Sequence, residues 1–383
     1  MKRWMWMLLV LALPLTVQAE WFETRSGLEN CRRVFEETKK GTVAFVGGSI
    51  TEMHGWREKV CEELQKRFPD TEFEFIAAGI SSTGSTPGAF RLTTDVFTEG
   101  KKIDLLFEEA AVNDSTNFRT PVEILRGMEG IVRHARRLNP EVDIVMMYFA
   151  EPSKSHAYRA GKTPEVIAVQ ERVAEHYGVP SINLAKEVTD RIDAGEFTWE
   201  KDFRDLHPAP FGHQLYANTI ARLFDACWES GKTFVRKPLP EPLDPFSYFN
   251  GHYVSIDRAT GWDRVENWQP PVKVGTRRGF VNVPVLECVV PGKVLTFPFR
   301  GTAVGIFVAA GPDTGIVEYS VDGAPWKEKD FYTPWSRSLY LPWAQVLEAE
   351  LPAGEHLLKL RMSEKKNPQS SGTAIRIVHF LEN

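Results

Sequence analysis

The sequence predicts an α/β domain with a parallel sheet covered on both faces, followed by a smaller all-β domain. Three observations predict it. Between residues 42 and 228, short apolar and β-branched runs alternate with helical patterns, and right-handed crossovers place such helices on both faces of a parallel sheet. A proline-spaced stretch, Arg236-Lys237-Pro238-Leu239-Pro240-Glu241-Pro242, then ends the alternation, with the composition of a stiff, extended linker. Beyond it, short β-rich runs separated by turn signals continue with no helix of any length, the texture of a sandwich or jelly roll. A length of 383 residues agrees with two domains.

The N-terminus reads as a targeting segment. Lys2-Arg3 supply positive charge, residues 4–15 are an apolar core, and Val17-Gln18-Ala19 ends in small residues. This is the pattern of a cleaved secretory signal peptide, residues 1–19, and implies a secreted or periplasmic protein. The apolar run is shorter than the roughly 20 residues that a membrane span needs, and no later stretch is long or apolar enough. The α/β domain is placed at 20–235. Strands are expected at 42–46, 72–78, 103–110, 143–149 and 181–184. Helices are expected at 55–68, 120–139, 164–177 and 212–228; in the second, Ile124, Met128, Ile131 and Val132 share one face, the amphipathic spacing. The linker is placed at 236–243 and the β-domain at 244–383. Within the latter, residues 302–309 are apolar, 315–321 alternate and run into Asp322-Gly323, a hairpin turn, and strands are also expected at 356–362 and 374–380.

Composition narrows the function. A hydrophobic content of 43% with 25% charged residues is that of a soluble globular protein. The net charge of −5 offers no basic footprint for nucleic acid. The nine histidines are scattered, without a spacing that would hold zinc, and no metal or cofactor is called for. Cys31, Cys61, Cys227 and Cys288 would meet an oxidising compartment. The first three fall in helix-like segments and suit small buried hydrophobes; a Cys61–Cys227 bridge needs the first and last helices on one sheet face.

Three blocks carry the chemistry. Residues 42–46 form an apolar strand that breaks into Gly47-Gly48-Ser49, which puts a hydroxyl at the carboxyl edge of a buried parallel strand, where open α/β sheets place their sites. A second apolar run leads into Ala111-Val112-Asn113-Asp114, and Asp205-Leu206-His207-Pro208 precedes the last helix. In this order the blocks resemble those of the SGNH (GDSL-type) hydrolases, over residues 41–228. The resemblance implies a flavodoxin-like three-layer α/β/α domain and a serine esterase. Two departures stand out: Gly48 replaces the Asp that usually precedes the serine, and Arg204 occupies the place of the Asp three residues before the histidine.

A serine hydroxyl attacks only when a base takes its proton, and His207 is the candidate base; its rival, His213, lies inside the helical pattern, where packing is the simpler role. Asp205 and Asp202 compete to orient His207, with Asp205 favoured for proximity and a backbone carbonyl as the substitute. The resemblance assigns the oxyanion donors to the Ser49 N–H, the Asn113 side chain and a residue after the second strand. Register there points to Ser82 and residue type to Gly84. Glu108-Glu109 invite comparison with paired carboxylates, but adjacent strand residues point to opposite faces. His54 and Trp56 could line a pocket or start a helix. Trp326, Trp335, Trp343 and Tyr340 could stack on sugar rings or fill the sandwich core. The resulting expectation is a secreted esterase acting on O-acyl, foremost O-acetyl, groups of a carbohydrate or polysaccharide. A non-catalytic carbohydrate-binding protein and an acyltransferase or lipase-like esterase are the alternatives.

Overall fold

The computed structural model describes residues 21–229 and 239–383. The expected signal peptide and residues 236–238 of the expected linker lie outside the described residues. Six strands form one sheet: β1 (Phe22–Glu23), β2 (Lys40–Gly47), β3 (Glu72–Gly79), β4 (Leu105–Glu109), β5 (Asp143–Met147) and β6 (Ser181–Ile182). Their order is β1-β6-β5-β4-β2-β3, parallel throughout except at β1. All five expected strands are present. β4 and β5 are buried at every position, as in a sheet covered on both faces. β2 has β3 on one side and β4 on the other, so strand order reverses there, and its carboxyl end is the crevice where such sheets bind ligands.

The helices are α1 (Glu29–Thr38), α2 (Ser49–Glu52), α3 (Trp56–Arg67), α4 (Ser85–Asp95), α5 (Ala111–Thr116), α6 (Pro121–Leu138), α7 (Pro152–Arg159), α8 (Glu165–Tyr177), α9 (Leu184–Asp193) and α10 (Pro210–Trp228). The four expected helices are α3, α6, α8 and α10. α6 begins as its sequence suggests, with Thr120 and Glu123 in a reciprocal cap and Pro121 at the first position, where its missing N–H costs nothing. Six helices were not expected. α1 buries only Asn30, Cys31 and Phe35, too few apolar positions to show a period. α4 hides behind Ser85-Thr86-Pro87-Gly88, which reads as a turn, yet Pro87 sits in the first helical turn, where no N–H is needed.

Each sheet face carries a core. Phe35, Trp56, Leu64 and Phe224 pack on one side, and Phe90, Met128, Ile131 and Val173 on the other. The second cluster runs on into the β-domain through Trp268, Phe280, Phe307 and Tyr340. That domain contains β7 (His252–Val254), β8 (Asp263–Trp268), β9 (Gly275–Thr276), β10 (Val283–Cys288), β11 (Val294–Gly301), β12 (Val304–Ala310), β13 (Ile316–Val321), β14 (Lys327–Asp330), β15 (Leu339–Glu348), β16 (Gly354–Met362) and β17 (Ile375–Glu382). One sheet runs β8-β10-β17-β12-β15-β9 with β7 beside β17, and the other runs β11-β16-β13-β14. The sheets share a core in which Phe297 stacks on Phe380 at 3.9 Å. β12 is buried at all seven positions because one face meets this core and the other meets the α/β domain. β11, in the outer sheet, alternates between buried and exposed positions.

The two domains are also joined by polar contacts. Arg126 of α6 pairs with Asp244 (2.8 Å) and Glu350 (2.5 Å), and buried Glu129 accepts the N–H groups of Leu243 (2.6 Å) and Asp244 (2.9 Å). The cysteines correct one expectation. α3 and α10 do share a sheet face, but the four cysteines remain thiols, so the Cys61–Cys227 bridge is not formed.

One buried carboxylate makes a pH prediction. Asp143 accepts the Cys31 N–H at 2.8 Å, and burial pushes its carboxyl up to about 7 from an ordinary 3.8. The fold therefore binds this proton more tightly than the unfolded chain does. The resulting stabilisation is complete below about pH 4 and is lost as pH rises to about 7. Asp143→Asn, which stays neutral, should gain stability relative to wild type between pH 5 and pH 8, by on the order of 3 kcal/mol. Urea denaturation at the two pH values checks this; a difference that does not change with pH would refute it.

Candidate active site

β2 ends at Gly47, and the chain turns through Gly48 into α2, so Ser49 sits at the tip of the strand-to-helix turn. His207 lies on the loop between a helical turn at Trp199–Phe203 and α10. The fold brings these residues, 158 apart in the chain, to a 2.7 Å contact between Ser49 Oγ and His207 Nε2. Asp205 stands on the other side of the ring, its Oδ1 at 3.4 Å from Nδ1 and 3.1 Å from the His207 backbone N–H. Asp202 is not brought to His207. Its carboxylate instead accepts the Thr198 N–H at 2.7 Å and hydroxyl at 3.2 Å, tying off the turn before the loop. Arg204 adopts a left-handed φ of 72° and donates to Lys201 O at 3.3 Å, so the chain doubles back just before Asp205.

At position 48 a Cβ would meet Asn113 Oδ1, so the Asn113 amide as placed here lies directly against the serine turn. The Gly48 N–H is occupied by Glu109 Oε1 at 2.7 Å. The Ser49 N–H opens α2, where backbone donors have no intrahelical acceptor. Ser82 is half-buried with a left-handed φ of 70°, and Asn117 Nδ2 holds its carbonyl at 3.0 Å. Gly84 is buried, pressed against the Asp114 carboxylate, and caps α4. Asp114 takes the Ser85 N–H at 2.9 Å and Gln170 at 3.0 Å. Burial nevertheless lifts its carboxyl to about 6.

The other singled-out residues fall mainly into structural roles. His213 is buried, accepts the Trp56 N–H on Nδ1 at 3.2 Å and leans on Gly55; burial lowers its pKa. Trp56 is core, edge-on to Phe45, Phe107 and Phe149. His54 is exposed beside Glu58. Glu109 turns to Gly48 and Thr51, while burial and the neighbouring Glu109 charge push the Glu108 carboxyl up, against the pull of Arg91. Tyr340 and Trp343 are buried, whereas Trp326 and Trp335 are 38% and 45% exposed, so the four do not form one platform.

Three neighbours of the site were not read from the sequence as parts of it. Arg91 of α4 donates to Gly47 O at 3.3 Å, and it lies on a helix that was not among those expected. Glu109 was read only as half of a carboxylate pair. Arg277 comes from the β-domain and places Nε 3.4 Å from Ser82 Oγ; no local pattern marks it.

Residues 45–215, in the α/β half of the chain, match the GDSL-like Lipase/Acylhydrolase family. A search of curated proteins finds no match. Among solved structures, the whole chain is similar to a two-domain esterase (CEX) active on acetylated mannans, co-crystallised with mannopentaose. The similarity has 20% identity, a TM-score of 0.74 and coverage of 95% of this chain and 96% of that one. The same esterase in a second structure matches at 20% identity and a TM-score of 0.74, over 94% and 96%. The acetylxylan esterase Axe2 of Geobacillus stearothermophilus matches at 18% identity and a TM-score of 0.38, over 52% of this chain and 97% of its own. The two-domain likeness establishes the fold across both halves.

Proposed function

We propose that this protein is a secreted serine esterase that removes O-acetyl groups from a carbohydrate. The observation that carries the reading is the 2.7 Å approach of Ser49 Oγ to His207 Nε2, within hydrogen-bond reach of a base. His207 takes the serine proton as Oγ attacks the ester carbonyl. The imidazolium then protonates the departing sugar oxygen, and water releases acetate by the same route in reverse. The Ser49 N–H, the Ser82 N–H and the Asn113 amide receive the oxyanion; Gly84, buried at the start of α4, serves packing instead. Asp205 steadies the ring from Nδ1. Arg277 beside Ser82 makes the β-domain one wall of the site, which suits a substrate longer than one sugar.

The relative's activity on acetylated mannans names the first substrate to try. Acetate release from acetylated mannan and acetylated xylan, compared with short p-nitrophenyl esters, tests the reading. Activity on the simple esters alone would leave an esterase without a carbohydrate preference. No activity on any of them would favour a carbohydrate-binding protein.

The orienting acid has its own test. Asp205→Ala should lower kcat about tenfold, because the pair is solvent-exposed and 3.4 Å apart and such pairs are weak. Asp202→Ala should leave kcat within about twofold and lower the melting temperature instead, since it removes a turn cap. The reverse ranking would hand the role to Asp202.

A further inference from the structure

Two buried charged side chains grip the nucleophile turn from behind. Arg91 holds the Gly47 carbonyl at 3.3 Å. Glu109, the last residue of β4, receives the Gly48 N–H at 2.7 Å and the Thr51 hydroxyl at 2.8 Å on the same oxygen, Oε1. Its other oxygen is buried without a hydrogen-bond partner. Around it stand Glu108 on the same strand, Asp114 of α5, Lys154 of α7 and Tyr216 of α10. Burial and the Asp114 charge outweigh Lys154 and the two hydrogen bonds, and the carboxyl sits at about 7.

We propose that Glu109 is a positioning residue for the nucleophile, holding the Gly48 peptide and Thr51 so that Ser49 presents its hydroxyl and N–H to the substrate. The inference rests on reading Ser49 as the nucleophile. Gly48 has no side chain, so the turn is held by its surroundings: Glu52 N–H donates to the Gly48 carbonyl and Ile80 N–H to the Gly47 carbonyl, each at 2.9 Å, and the Gly48 N–H and the Thr51 hydroxyl are left for a side chain to hold. Glycine leaves the adjoining peptides freer to rotate than any other residue would. The next peptide, between Gly48 and Ser49, carries the oxyanion donor. Glu109 completes the brace from the strand behind, by an acceptor bond on one side of the serine and another on its helix. Stability alone does not call for a carboxyl here: its second oxygen is buried without a partner, which is costly, and a neutral carboxamide would accept from the same two donors without burying an acid. A displacement of about 1 Å at a reacting group is enough to cost roughly a hundredfold in rate.

The test compares Glu109→Gln, which keeps a carbonyl oxygen for both donors, with Glu109→Met, which keeps the length and loses the acceptor. Thr51→Val removes one donor only. Hydrolysis of p-nitrophenyl acetate gives kcat and KM, and circular dichroism reports folding. Glu109→Met should lose about a hundredfold in kcat with KM within about twofold, as misplacement of reacting groups predicts. Glu109→Gln should retain a third or more of wild-type kcat, and Thr51→Val should fall between the two. A folded Met variant with near-wild-type kcat would overturn the inference, as would a Gln variant as impaired as Met. If the Met variant does not fold, Thr51→Val decides, and unchanged kcat there overturns it. Ser49→Ala runs in parallel: if it is dead while Glu109→Met is fully active, only this inference fails. If it is active, the nucleophile reading fails first.

Discussion

Ser49→Ala should abolish acetate release, lowering kcat by at least about a thousandfold, as loss of a catalytic serine does elsewhere. The fold should survive. Ser49 is half-buried at the tip of a turn, and its side-chain contact is to His207, whose side chain is 44% exposed. Truncating such a hydroxyl changes stability by about 0.5 kcal/mol or less. The residual rate measures what the oxyanion donors and substrate binding contribute without a nucleophile. Acetate quantified from acetylated mannan, beside a melting curve of the same preparation, separates lost chemistry from lost fold. A folded variant with more than a tenth of wild-type turnover would remove Ser49 from the mechanism.

The second large effect concerns the base, and the two nearby histidines separate catalysis from stability. His207→Ala should reduce kcat by several orders of magnitude, because it removes the base whose Nε2 lies 2.7 Å from Ser49 Oγ. His207 is exposed, so the melting temperature should barely move. His213→Ala should do the opposite. It removes an acceptor for the Trp56 N–H and a ring packed on Gly55, which should cost about 1–3 kcal/mol with kcat nearly unchanged. Loss of activity in His213→Ala with the fold intact would mean that the wrong histidine has been given the role.

How much of this was legible beforehand can be argued residue by residue. The strand ending in Gly47-Gly48-Ser49, the five parallel strands and the late helix are local patterns, and each is written within about a dozen consecutive residues. The β-domain was equally visible: residues 302–309 read as a continuous apolar run, and β12 is buried on both faces. The missed helices fail for a local reason too. α4 opens with Ser, Thr, Pro and Gly, and its identity is decided by packing on α6 and the β-domain rather than by propensity.

What the sequence determined by itself is the class of fold, the position of the serine and histidine, and the order in which they appear. These follow from hydrophobic periodicity and turn chemistry, which act over a few residues. What only the tertiary structure decided are relations between distant segments. The doubling back at Arg204 selects Asp205 over Asp202 as the neighbour of His207. Asn113, 65 positions beyond Gly48, lies against the serine turn where a Cβ at Gly48 would meet its Oδ1. Glu109 and Arg91 meet the nucleophile turn because β4 and α4 flank β2, and Arg277 reaches Ser82 because two domains share one core. Cys61 and Cys227 lie on helices of one face yet stay thiols. Contacts of this kind depend on how elements pack, and no short stretch of sequence encodes the distance between them.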